Sequence, residues 1–95
     1  MNKKFVRRYA LKKINRGDIY LISDNGELNY YLITNCISKS FYMTVPIKKL
    51  SDRCIVKFHK KLRNKNFTKN TYILFEELSI KKVKHFVRYI DNINI

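Results

Sequence analysis

Apolar positions in this chain come in short runs, none longer than four residues, and their spacing changes along its length. Near the start, Phe5, Val6, Tyr9 and Ala10 recur about four residues apart, which predicts a short amphipathic helix whose charges face outward. From Asp18 the texture becomes that of strands. Ile19-Tyr-Leu-Ile22 and Leu28-Asn-Tyr-Tyr-Leu-Ile-Thr34 flank Asp24-Asn25-Gly26-Glu27. Asn-Gly between two such runs predicts a hairpin, because both residues accept the positive φ that a tight hairpin turn demands. Phe41-Tyr-Met-Thr-Val45 reads as a third strand stopped by Pro46, which cannot donate to a ladder.

Ile55-Val-Lys-Phe58 predicts a short fourth strand, and Thr71-Tyr-Ile-Leu-Phe75, apolar throughout, a central fifth. Ser79 to Lys84 offers a cap and one or two helical turns with Ile80, Val83 and Val87 on one side. His85 to Ile90 alternates and reads equally as a closing strand. Five to six short strands joined by tight turns, with a short N-terminal helix and a short C-terminal helical segment, predict a mainly β fold, a small antiparallel barrel. A parallel sheet needs crossovers of a dozen or more residues, which most of these spacings do not allow.

Composition changes this picture in one respect. Of 95 residues, 21 are Lys or Arg and 7 are Asp or Glu, for a net charge of +14. An apolar fraction of 45%, with seven Tyr and six Phe, is too high for a disordered basic tail, so a folded core is expected. The charge therefore speaks to partners: nucleic acid first, an acidic protein second, an anionic membrane surface third. An AT-rich coding bias would raise Lys and Asn but does not account for so few acids. No apolar run reaches the length of a membrane span or of a signal-peptide core, and a cytoplasmic protein without a transmembrane segment is expected.

The basic residues cluster. Lys3, Lys4, Arg7, Arg8, Lys12, Lys13 and Arg16 form an arm without acids. Lys57, His59, Lys60, Lys61, Arg63, Lys65 and Lys69, among Asn64, Asn66 and Asn70, read as a solvent-facing loop with too few apolar residues to join the core. Cys36 and Cys54 lack disulfide-scaffold number and zinc spacing, and with apolar neighbours both read as reduced core residues. No metal or other cofactor is implied, since neither histidine has ligands in local spacing. His59 reads as a surface residue, and His85 divides between surface and packing. Tyr30, Tyr31, Phe41, Tyr42 and Phe58 fill a barrel or stack on bases, with Tyr30 and Tyr42 the exposed candidates.

The order of motifs resembles the PemK/MazF toxins. Arg16-Gly17-Asp18-Ile19-Tyr20 opens the first strand, Tyr31-Leu-Ile-Thr34 lies in the second, Met43-Thr-Val-Pro-Ile47 ends the third and Tyr72-Ile-Leu-Phe-Glu-Glu-Leu78 covers the fifth. The resemblance implies an SH3-like barrel over residues 16–95 behind a basic arm at 1–15. It also implies a homodimer, and a metal-independent endoribonuclease of the type II toxin-antitoxin kind that an acidic antitoxin neutralises. Two catalytic positions depart from the family. Asn29-Tyr30-Tyr31 stands where a catalytic Arg is expected, and Lys48 stands where Thr or Ser follows Pro-Ile.

Metal-free RNA cleavage needs a base for the 2′-hydroxyl and a cation for the charge that develops on phosphorus. Lys48 can supply the cation and becomes a base only if desolvation or Lys49 lowers its pKa. Arg16 and Arg53 can replace the missing guanidinium only if folding brings them there. The binding residues expected are Lys48, Lys49, Lys57, His59, Lys60, Lys61, Arg63, Lys65, Tyr30 and Tyr42. Two functions follow: a diverged RNA-binding ribonuclease toxin, or a non-enzymatic module, such as a mobile-element inhibitor or small regulator, that occupies nucleic acid or an acidic protein through the same barrel.

Overall fold

The computed structural model describes residues 13–50, 60–67 and 70–95. The expected N-terminal helix, the strand at 55–58, Cys54, Arg53, Lys57 and His59 lie outside the described residues. Within them run β1 (Asp18–Asp24), β2 (Glu27–Cys36), β3 (Phe41–Lys49), β4 (Lys60–Lys61), β5 (Thr71–Ile73), β6 (Ser79–Lys82) and β7 (Phe86–Asn92), with one 3-10 turn over Val83–His85. All pairings are antiparallel. The path is β4-β5-β3-β2-β1-β7, with β6 added to β3. The fold is thus mainly β, and among the described residues its end strands, β4 and β7, do not pair with each other.

The hairpin forms as the Asn-Gly signal requires. Asp24 pairs with Glu27, and Asn25 and Gly26 take φ of 53° and 85°, the two positive values that match a hairpin turn to strand twist. Alternation then divides the side chains between two faces. Ile19, Leu32, Val45, Ile47, Leu62 and Ile73 form one buried cluster, while Tyr20, Ile22, Tyr31, Ile33 and Phe86 form another. Adjacent residues of β1 and β2 fall in different clusters, so the sheet carries a core on each face. Register shifts between β1 and β7, and at Ile33/Asn35 between β2 and β3, supply the bulges that increase its twist.

Pro46 does not end the third strand, which continues to Lys49. The Pro46 carbonyl accepts a hydrogen bond from Leu74 N–H at 3.0 Å, so its nitrogen faces the side of β3 shared by β5 and β6. β5 pairs from Ile47 onward and β6 only as far as Thr44, so no ladder partner asks for a donor at residue 46. Likewise β5 is paired on both edges but is second from the sheet's end rather than central.

The C-terminal helical segment is replaced by β6, leaving the single 3-10 turn. The helical reading placed Ile80, Val83 and Val87 on one side; in the strands, Ile80 and Val87 are 57% and 48% exposed. The inward position on β6 is instead Lys81, whose ammonium lies 2.9 Å from Asp24 and 4.7 Å from the centre of the Tyr31 ring. Cys36 is exposed at the end of β2 rather than in the core. His85 is exposed on the 3-10 turn. No helix among the described residues is long and apolar enough to cross a membrane.

Candidate nucleic-acid interface

The basic segment after β4 exposes Arg63 and Lys65, as a solvent-facing loop would, but two apolar residues anchor it to the core. Leu62 is buried in the first cluster, its N–H bonded to the Thr71 carbonyl at 2.8 Å, and Phe67 packs against the same cluster. Phe67 meets the Tyr30 ring edge-on at 5.0 Å and 87°, a favoured aromatic geometry. Polar bonds fix the turn between these anchors. Asn64 Oδ1 accepts from Asn66 N–H at 2.8 Å, while the Asn64 and Asn66 amides donate to Asp91 Oδ2 at 2.9 and 3.3 Å. Donation by Asn64, followed by that of the Asn92 N–H, holds the Asp91 carboxyl below its ordinary range, so it is anionic at neutral pH.

Beside this turn lies a cleft of about 310 Å³ lined by Tyr30, Ile47, Lys48, Lys49, Asn66, Phe67 and Thr71. Register explains the assembly: Tyr30 is opposite Ile47, and Lys49 opposite Thr71, on the face that carries the first cluster. Lys48 alternates to the other face. There Tyr72 lies opposite Lys48 on one side and opposite Lys61 on the other. The row Lys48, Tyr72, Lys61 thus sets a half-buried aromatic ring between two exposed ammonium groups. The flanking backbones are about 10 Å apart, far enough that solvent and salt moderate their repulsion.

Of the residues expected in the site, Tyr30 and Lys49 meet in the cleft with Lys48 at its border, while Lys61 shares the other face with Lys48 across Tyr72. Lys60 pairs with Ile73 at the sheet's end. Arg63 and Lys65 are exposed on the anchored turn. Neither aromatic candidate is fully exposed. Tyr42 is half-buried against the second cluster, 6.2 Å from the Phe86 ring, with burial and then the Cys36 thiol raising its phenol pKa.

Arg16 does not join Lys48. It sits in the turn before β1, where Gly17 N–H bonds the Ile33 carbonyl at 2.8 Å, at the opposite end of the strands from the Asn25-Gly26 turn. Lys48 lies one step past the Tyr30–Ile47 pair, near that turn, so the two are separated by about 20 Å along the strands.

Sequence reasoning missed Tyr72, Asn66 and Phe67. Tyr72 was hidden in a run that looked wholly apolar, although its alternation with Thr71 and Ile73 carried the signal. Phe67, like Leu62, was a lone large apolar residue amid charged and amide neighbours. Among the described residues no carboxylate or imidazole lines the cleft, and no three His, Cys, Asp or Glu converge as metal ligands. No family model matches the chain, and no curated protein is similar to it.

Proposed function

We propose that the protein binds single-stranded nucleic acid, RNA foremost, across the β4-β5-β3 end of its sheet, on a curved sheet we read as an SH3-like barrel of the PemK/MazF kind. The observation that carries this reading is the row Lys48, Tyr72, Lys61, on the face of this end of the sheet opposite the cleft of Tyr30 and Phe67. A ring takes a base by stacking, and ammonium groups on either side take the flanking phosphates. Cleavage would need a proton acceptor beside Lys48 for the 2′-hydroxyl, and among the described residues the cleft's lining supplies Tyr, Lys, Asn and Thr. Binding is therefore the function this geometry supports best.

The test is fluorescence anisotropy with a labelled single-stranded RNA dodecamer over a salt series. Binding should weaken steeply with salt, and Lys48→Ala with Lys61→Ala should flatten the log-log slope by about 1.4, at roughly 0.7 per phosphate contact. Failure to bind at low salt, or a slope unchanged in the double variant, overturns the reading.

A further inference from the structure

A second group of cations meets where the turn between β2 and β3 touches the end of β6. Lys39 and Ser40 on one side, with Lys82, Val83 and Lys84 on the other, line a hollow of about 310 Å³. Among the described residues no carboxylate lines it, and all three lysines are exposed.

Backbone bonds hold the two sides together. The Ser40 carbonyl accepts from Val83 N–H at 2.9 Å, and the Phe41 carbonyl accepts from Ile37 and Ser38 N–H at 3.1 Å each, which closes the turn. Phe41 lies opposite Lys82 in the β3–β6 ladder, and Lys82 Nζ is 5.8 Å from the centre of its ring, so that ammonium is placed over an aromatic face. Its neighbour Lys81 alternates to the other face and is paired with Asp24. Like charges gathered at one hollow repel one another, and an anion seated among them relieves that cost. The lining offers ammonium donors and a hydroxyl but no ring on which a base would stack, so the group it suits is a phosphate.

Sheet curvature sets the hollow at the same end of the molecule as Lys48. The Lys81–Asp24 pair draws β6 to the Asn25-Gly26 hairpin, and the 3-10 turn that follows delivers Phe86 opposite Ile22, near the end of β1. Arg16 lies at the other end of that strand.

We infer that Lys39, Lys82 and Lys84 form a second phosphate site, which takes a backbone phosphate of the same nucleic acid that the row Lys48, Tyr72, Lys61 engages. The inference rests on the RNA-binding reading above and extends its footprint to the β2–β3 turn.

The experiment follows backbone amides by NMR as the labelled protein is titrated with the RNA dodecamer, and measures the anisotropy salt series for a triple variant, Lys39→Gln, Lys82→Gln and Lys84→Gln. The dodecamer should shift the amides of Lys39, Ser40, Val83 and Lys84 as well as those of Lys48 and Tyr72. The triple variant should bind about fivefold more weakly at low salt, the scale of an exposed charge pair, with a log-log slope flatter by about 0.7, one phosphate. Its thermal midpoint should match that of wild type, because the three side chains are exposed. Shifts confined to the Lys48–Tyr72 region, with an unchanged slope in the triple variant, overturn this inference and leave the RNA-binding reading standing. Shifts of the hollow's amides by phosphatidylglycerol vesicles and not by the dodecamer also overturn it, and assign the surface to a membrane. Absence of any binding to the dodecamer at low salt overturns the RNA-binding reading together with it.

Discussion

Lys81 on β6 reaches back to Asp24 at the end of β1, with Nζ 2.9 Å from Oδ2, and so ties the strand added beside β3 to the tip of the first hairpin. Tyr31 Oη donates to the same oxygen at 2.8 Å. These two donors, Lys81 first, lower the Asp24 pKa below its ordinary 3.8, while burial and then Asp24 raise that of Tyr31. The contact explains why a lysine occupies the inward position of β6 and an isoleucine the outward one.

The folded chain therefore holds the Asp24 proton more weakly than the unfolded chain. The stabilisation is complete above the ordinary carboxylate pKa and is lost as pH falls through the depressed folded value. Asp24→Asn is expected to lower stability at pH 7 by about 1 kcal/mol, the upper end for a solvent-accessible pair. Urea unfolding of wild type and variant should converge as pH drops below that window. A difference that persists undiminished in acid would refute the assignment.

The two glycines make separable demands. A Cβ at Gly26 meets nothing within 4 Å, so Gly26→Ala should cost only the left-handed backbone at φ 85°, about 1 kcal/mol. At Gly17, φ is 91° and a Cβ would lie 3.2 Å from Asn92 Nδ2. That amide donates to Asp18 Oδ1 at 2.8 Å and to the Arg16 carbonyl at 3.1 Å. Gly17→Ala should therefore cost more than Gly26→Ala by about 1 kcal/mol, the scale of a displaced hydrogen bond. Denaturant midpoints for the two variants decide the order.

That turn bears on function as well. Asp18 is 3% exposed, and besides Asn92 it accepts from Asn15 N–H at 2.8 Å. The Arg-Gly-Asp sequence that carries much of the family resemblance is thus occupied in closing the start of β1 against β7. Arg16→Ala should leave RNA affinity and its salt slope unchanged, whereas Lys48→Ala should reduce the slope by about 0.7. Equal losses in the two variants would mean that RNA reaches both ends of the strands.

The sequence was most legible where local rules act. Asn25-Gly26 announced the hairpin through its own φ preferences, and alternation in β1 and β2 announced their two faces. It was least legible where tertiary partners decide. Pro46 passes through a strand because a gap between β5 and β6 waits on its nitrogen side, and Lys81 turns inward because Asp24 is there. In the site, Lys48, Lys49 and Tyr30 were readable as basic and aromatic residues near a strand end. The turn that completes the cleft was not, because Leu62 and Phe67 are single apolar anchors in a charged stretch, and Asp91, which fastens it, lies far away in sequence.

Tyr72 offers the sharpest division between fold and function. Its neighbours Thr71 and Ile73 are buried, while Tyr72 itself is half-buried on the opposite face between Lys48 and Lys61. If the ring stacks on a base, Tyr72→Phe should retain RNA affinity, because stacking needs the π-face and not the hydroxyl. Tyr72→Ala should weaken binding by about 1–3 kcal/mol, the range for loss of one base–aromatic stack. Its salt slope should stay near that of wild type, since no cation is removed, which separates it from the lysine variants. Thermal unfolding of the three proteins controls for the fold. If both substitutions leave affinity unchanged while the lysine variants weaken it, the phosphates are held without a stacked base, and the ring serves only to space the two cations.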